Sequence, residues 1–234
     1  GSVRGQGPAP LAGVVLDLRS NPGGLVDEAS AVADDLLDQG TIYTTRHRGR
    51  VVEQANASRG GPLARTPIVV LVNEYSASAA ELVAGAVQDH KRGVVVGAMT
   101  YGKGSVQSIL DLPGGAGLKL TTMLYFTPSG RSVQAEGIHP DVVIASGAPS
   151  PAATPILRER DVEGHIPGAT PHPADAGATS ETAADAATAA PDPFDIPRDV
   201  PANPTQGKDP VLSVGYQIVR GNLSVNSARP QPSR

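Results

Sequence analysis

The chain has 234 residues, enough for one sizeable core with appendages, and a formal net charge of −4. That balance gives no electrostatic case for nucleic acid, and aromatic residues, at 3%, are too few for base stacking. With no cysteine there is neither a disulfide framework nor a thiolate metal site.

Gly1-Ser2 reads as a cloning scar, and residues 1–10, rich in Gly and Pro, read as a loop. No signal peptide opens the chain, and no apolar run reaches the ~18 residues of a spanning helix. Leu11 to Leu18 predicts a buried strand. Ser20-Asn21-Pro22-Gly23-Gly24 predicts a turn, because Pro presets φ and glycine permits positive φ. Leu25, Ala29, Val32, Ala33 and Leu36 then fall on one helix face. Asp27 and Glu28 suit its first turn, and Gly40 its end. Thr41 to Arg46 and Val51 to Gln54 predict a hairpin, with Arg46, Arg48 and Arg50 at a solvated tip. Ala57 to Arg65 reads as a loop.

The stretch from Val69 to Val106 carries the chemistry. A β-branched run from Ile68 to Val72 predicts a buried strand, and Asn73 to Ser78 a bend. Leu82, Val83, Ala86 and Val87 recur at helical spacing, and Val94 to Val96 predict a further strand. A serine at such a bend sits at a helix N-terminus, where free N–H groups favour developing negative charge. Ser78-Ala-Ala-Glu81 also fits a simple capping box, and Ser76 is a second cap and a rival nucleophile. A nucleophilic serine needs a base. His90 lies 12 residues from Ser78, about 18 Å along one helix, which excludes a direct hydrogen bond. Lys103 lies in the loop Tyr101-Gly102-Lys103-Gly104, which a helix and a returning strand can bring back beside the bend. A lysine acting as base must be neutral, and burial among apolar groups favours the neutral amine. His139 leaves a Ser–His–Asp triad open, since triads are assembled by folding. No His/Asp/Glu spacing argues for a metal.

Ser105 to Leu112 and Leu118 to Thr127 predict strands joined by Pro113-Gly114-Gly115, with a turn at Ser129-Gly130. From Ala145 onward the composition shifts. His165 to Asn203 carries six acidic residues against one basic, with abundant Pro, Ala and Thr, and is expected to be disordered and dispensable. Asp209 as cap, Pro210 at the first position and Gly221 at the end predict a short helix that Gly215 weakens. The expected organisation is therefore a loop over 1–10, a core over 11–145, a mostly disordered segment over 146–208, and a helix with a loose tail over 209–234. Alternating βαβ units followed by antiparallel strands predict an α/β core with a mixed sheet.

NEYSASAAELVAGAVQDH with TYGKGSVQ resembles the C-terminal processing peptidases, also called tail-specific proteases. DLRSNPGGL at Asp17 to Leu25 is similar to their upstream signature, and GIHPDVVI at Gly137 to Ile144 to their downstream one. The resemblance covers roughly residues 11 to 145 and selects Ser78 over Ser76. It implies a layered core related to the crotonase and Clp-protease folds. It implies Ser78 as nucleophile, Lys103 as general base, and Gln107 as the group that orients the amine. The N–H groups of Gly24 and Ala79 would form the oxyanion hole. Asp89 matches an acidic position of the family, but 11 residues of helix, about 16 Å, leave it a supporting role. No cofactor is implied. The implied substrates are proteins or peptides with exposed C-terminal tails, in the periplasm or another extracytoplasmic, membrane-associated setting. A PDZ domain and part of the usual core lie upstream in the family and are expected to be missing here. Two other readings remain open: a non-catalytic scaffold relative or inactive fragment, and a crotonase-like acyl-CoA enzyme.

Overall fold

A computed structural model describes residues 13–144, 157–169 and 208–221. Two sheets and three helices make up the described part. The first sheet is wholly parallel, in the order β1 (Val14–Asp17), β4 (Ile68–Val72), β5 (Val94–Gly97) and β8 (Val142–Val143). Between β1 and β4 come α1 (Val26–Leu36), β2 (Gly40–His47) and β3 (Arg50–Ala57); α2 (Ala79–Asp89) links β4 to β5. The second sheet is wholly antiparallel, in the order β3-β2-β7-β6, with β6 at Ser105–Asp111 and β7 at Gly117–Phe126. The parallel and antiparallel pairings expected of one mixed sheet thus sit in two sheets of a layered α/β core.

All five residues of β4 are buried, because the parallel sheet is covered on both faces. Ile68, Val70 and Val72 pack toward α1 and α2, with Ala33, Leu36, Val83 and Val87. Val69 and Leu71 face the other way and join Val96, Val142 and Ile144 under α3 (Pro210–Val219). The helix predicted from Asp209-Pro210 is therefore real, and the Asp209 carboxylate accepts from Leu212 N–H at 3.0 Å. Gly215, expected only to weaken it, lies against the sheet. A Cβ there would stand 2.8 Å from Leu71 Cδ2, so glycine lets the helix come close.

The β2–β3 hairpin forms as predicted. Arg48 and Gly49, at φ 48° and 80°, give it the two left-handed residues of a tight turn. Arg46 departs from the expectation of a solvated tip: its guanidinium lies 4.3 Å from the centre of the Phe126 ring. The predicted α1 face divides in burial. Ala29, Ala33 and Leu36 are buried, whereas Leu25 and Val32 are 74% and 42% exposed.

Of the segment expected to be disordered, most falls outside the described residues. Residues 157–169 lie along the core, with a 3-10 turn at Glu159–Asp161. Ile166 O accepts from Gln134 Nε2 at 2.9 Å, so polar pairing seats this stretch despite its composition. The predicted loop over residues 1–10 and the loose tail after residue 221 also fall outside the described residues.

Candidate active site

The bend between β4 and α2 holds Ser78 with φ 55° and ψ −121°, a conformation that non-glycine residues rarely adopt. The side chain is half-exposed at the helix start. Ser76, the rival, is fully buried. Its hydroxyl donates to Leu18 O at 2.7 Å and accepts from Asn73 N–H at 3.0 Å, so it fastens the bend to the end of β1.

The DLRSNPGG loop packs directly on this bend. Ala77 N–H donates to Asn21 O at 2.9 Å, and Ser20 N–H donates to Asn73 Oδ1 at 2.8 Å. Gly23, at φ 95°, is the closest approach: a Cβ would meet Ser78 Cβ at 2.8 Å and Ala79 N at 2.9 Å. Only glycine fits there. Gly24 and Ala79, the expected oxyanion pair, both line a cleft of about 250 Å³ beside the bend. Leu25, Val32, Ala29 and Val83 also line it, which explains why two apolar residues of the α1 stripe are left in the open. Arg19 anchors the loop from behind. Its guanidinium donates to Asp17 at 2.9 and 2.7 Å and to Asp209 at 2.9 and 2.8 Å. These hydrogen bonds lower the pKa of both carboxyls.

The residue that sequence reasoning read only as a cap is Glu81. It is fully buried, and its carboxylate accepts four donors. These are Ser78 N–H at 2.7 Å, Thr100 Oγ1–H at 2.5 Å, Gly102 N–H at 2.8 Å and Lys103 N–H at 2.9 Å. Burial pushes its pKa up to about 6, against the pull of those four bonds. The box predicted at Ser78-Ala-Ala-Glu81 is present in its carboxylate half, and Glu81 N–H donates to Ser78 O at 2.8 Å. The signal was legible as S-x-x-E. The reach of the same carboxylate to residues 21 and 22 positions later was not.

Lys103 thus comes to the site by its backbone, in the loop Thr100–Gly104 that joins β5 to β6. Among the described residues no hydrogen bond joins the Lys103 amine to the Ser78 hydroxyl; the Glu81 carboxylate is what links the two residues. Gln107 lies on β6 opposite Thr121, with an exposed side chain. Asp89 stands at the far end of α2, as the helix length required. It accepts from Ser129 N–H at 2.9 Å and Oγ–H at 2.7 Å, and pairs with Arg131 at 2.5 Å. Burial opposes its charge, but Arg131 and the Ser129 donors leave its pKa below the ordinary value. It steadies the Ser129-Gly130 turn. His90 Nε2 lies 2.7 Å from Thr41 O. His139 lines a different pocket, with Arg131, Ser132 and Glu136. Among the described residues no hydrogen bond joins either histidine to Ser78. Among the described residues no group of three His, Cys, Asp or Glu stands close enough to hold a metal, and no helix is long and apolar enough to cross a membrane.

Comparison with known proteins meets this geometry. Residues 6–144 match peptidase family S41. The carboxy-terminal-processing protease of Bartonella bacilliformis is 40% identical over 227 residues, 96% of this chain and 48% of that protein. The carboxyl-terminal-processing protease of Picosynechococcus sp. is 47% identical over 130 residues, 56% of this chain and 31% of that one. A solved structure of a photosystem II D1 C-terminal processing protease superposes with a TM-score of 0.55 at 40% identity, covering 57% of this chain and 34% of the other. The chain thus spans half or less of the length of these relatives. It belongs to peptidase family S41, among relatives named for C-terminal processing.

Proposed function

We propose that the chain is the catalytic part of a serine endopeptidase that uses Ser78 and Lys103 to cut polypeptides near their C-termini. Ser78 Oγ attacks the peptide carbonyl carbon while Lys103 Nζ takes the hydroxyl proton. The N–H groups of Gly24 and Ala79 receive the oxyanion. As the C–N bond breaks, Lys103 returns the proton to the leaving amine. A water, deprotonated by the same amine, then hydrolyses the acyl-enzyme. Gln107 orients the amine, and Glu81 positions both partners. The apolar cleft at Leu25 and Val32 receives a substrate side chain. The setting is extracytoplasmic, with which a cysteine-free chain is compatible.

The observation that carries this reading is the Glu81 carboxylate, which ties the strained serine to the lysine loop in one buried network. A fluorophosphonate serine probe and an unfolded protein substrate test it. Ser78→Ala should lose both labelling and cleavage. Lys103→Ala and Lys103→Arg should lose cleavage with the fold intact, since guanidinium is not deprotonated in proteins. Full cleavage by Lys103→Arg would reject the dyad. Failure of the wild type to label would favour a scaffold, and thioester turnover an acyl-CoA enzyme.

A further inference from the structure

Glu81 holds the Thr100–Gly104 loop from beneath. A second set of contacts, which the mechanism above does not use, holds it from the other side. Gln134 is fully buried, and every polar hydrogen and oxygen of its amide is engaged. Its Oε1 accepts from Gly104 N–H at 3.0 Å. Its Nε2 donates to Glu159 Oε1 at 3.1 Å and to Ile166 O at 2.9 Å. Only one orientation of the amide satisfies all three, because a flipped group would turn its NH2 toward the Gly104 N–H. Residues 157–169 form the other wall. Arg158 Nη1 donates to Thr100 O at 3.2 Å, and Glu159 N–H donates to Tyr101 O at 3.2 Å. Thr100, Tyr101 and Gly104 are thus gripped by this strap and by Gln134, while Thr100, Gly102 and Lys103 are gripped by Glu81. Lys103 sits between the two grips.

The strap lies beyond the S41 match, which ends at residue 144. The Picosynechococcus match is 130 residues long, about the length of the core. The Bartonella match, 227 residues long, is long enough to include the strap. A loop inside the S41 match is therefore braced here by a segment from outside that match.

Resting on the Ser–Lys reading above, we propose that Gln134, Arg158 and Glu159 are positioning residues for Lys103. The strap fixes the path of the lysine backbone so that the amine approaches Ser78 in one geometry. A base displaced by about 1 Å can cost two orders of magnitude in rate. Substrate binding in the cleft of Gly24, Leu25 and Val32 does not involve these residues. Loosening the strap therefore lowers the rate of the chemical step and leaves binding unchanged.

The test uses the full chain with the double substitution Arg158→Ala/Glu159→Ala. Amide hydrogen exchange at Gly102, Lys103 and Gly104 should quicken at least tenfold, with α2, β4 and the midpoint of thermal unfolding unchanged. Labelling of Ser78 by the fluorophosphonate should slow about tenfold, and peptide cleavage should lose kcat with KM unchanged. Glu159→Gln keeps an acceptor for Gln134 and should stay within twofold of wild type in all three. Unchanged exchange at residues 102–104 overturns the inference. So does exchange that rises equally throughout the core, which would make the strap a general brace. Lys103→Ala separates the two readings. If it still cleaves, the dyad is wrong whatever the strap does. If it is dead while the double variant keeps its kcat, the dyad stands and the strap inference falls.

Discussion

The two sheets are built from similar strands and differ in what covers them. β4 is buried along its whole length, because helices close both faces of the parallel layer. In the antiparallel layer, burial fades along the strands. β7 runs from exposed at Gly117 to buried at Tyr125 and Phe126, and β6 runs the opposite way from buried Ser105. Ile109, Leu110, Leu118 and Leu120 remain 73%, 48%, 42% and 48% exposed at its outer end. Ser78 follows the central strand of the first layer. Lys103 lies where the chain leaves that layer and enters the second. One proposed partner is thus set by a close-packed interior and the other by a seam, which is why the seam needs a buried carboxylate and a strap. Apolar burial alone fixes a backbone only where something lies on both sides of it.

The comparison is most sharply tested in the centre of the parallel layer. Leu71→Ala removes a fully buried side chain from between the sheet and α3, and should cost about 2–5 kcal/mol in urea unfolding. A loss under 1 kcal/mol would mean that α3 does not cover that face in solution. The seam answers to pH. Glu81 holds its proton more tightly folded than unfolded, with a pKa of about 6 against an ordinary 4.5. Stability should therefore gain about 2 kcal/mol as pH falls through that window, and lose it again as pH rises to 6. Activity should move the other way. A protonated carboxyl must donate through one oxygen, so it cannot accept from all four donors. Glu81→Gln should flatten the stability change and lose the acid limb of activity together. Next comes the clasp on α3: Asp209→Ala removes its cap and one partner of Arg19, and should cost about 1 kcal/mol, measured by thermal unfolding. The smallest effect belongs to the outer end of the second layer. Ile109→Thr should change stability by no more than about 0.5 kcal/mol. A loss comparable to Leu71→Ala would show that this end is covered in solution.

What was legible in the sequence follows the same division. The continuous apolar run of β4, the cap and proline of α3 and the glycine turns state local requirements, and each appeared where its residues placed it. The stripe Leu25-Ala29-Val32-Ala33-Leu36 reads as one helix face, and periodicity cannot tell a core from an open cleft. Glu81 was read as a cap because its first contact is three residues away; its others are 19 to 22 residues on, and only folding brings them together. The strap escaped for the opposite reason. Its composition argues against a core of its own, and what seats it is polar pairing with Gln134 and the Thr100–Tyr101 backbone.

Arg19 and Asp209 stand 190 positions apart in the chain. A ribosome adding about 5–20 residues per second delivers the aspartate roughly ten to forty seconds after the arginine. Until then the loop carrying Gly23 and Gly24 has no anchor on α3, and Val69, Leu71 and Val96 lack their cover. Ser78 is made early, but the loop beside it is locked late. While the chain is being made, the loop beside Ser78 therefore waits for α3, the helix that supplies its anchor.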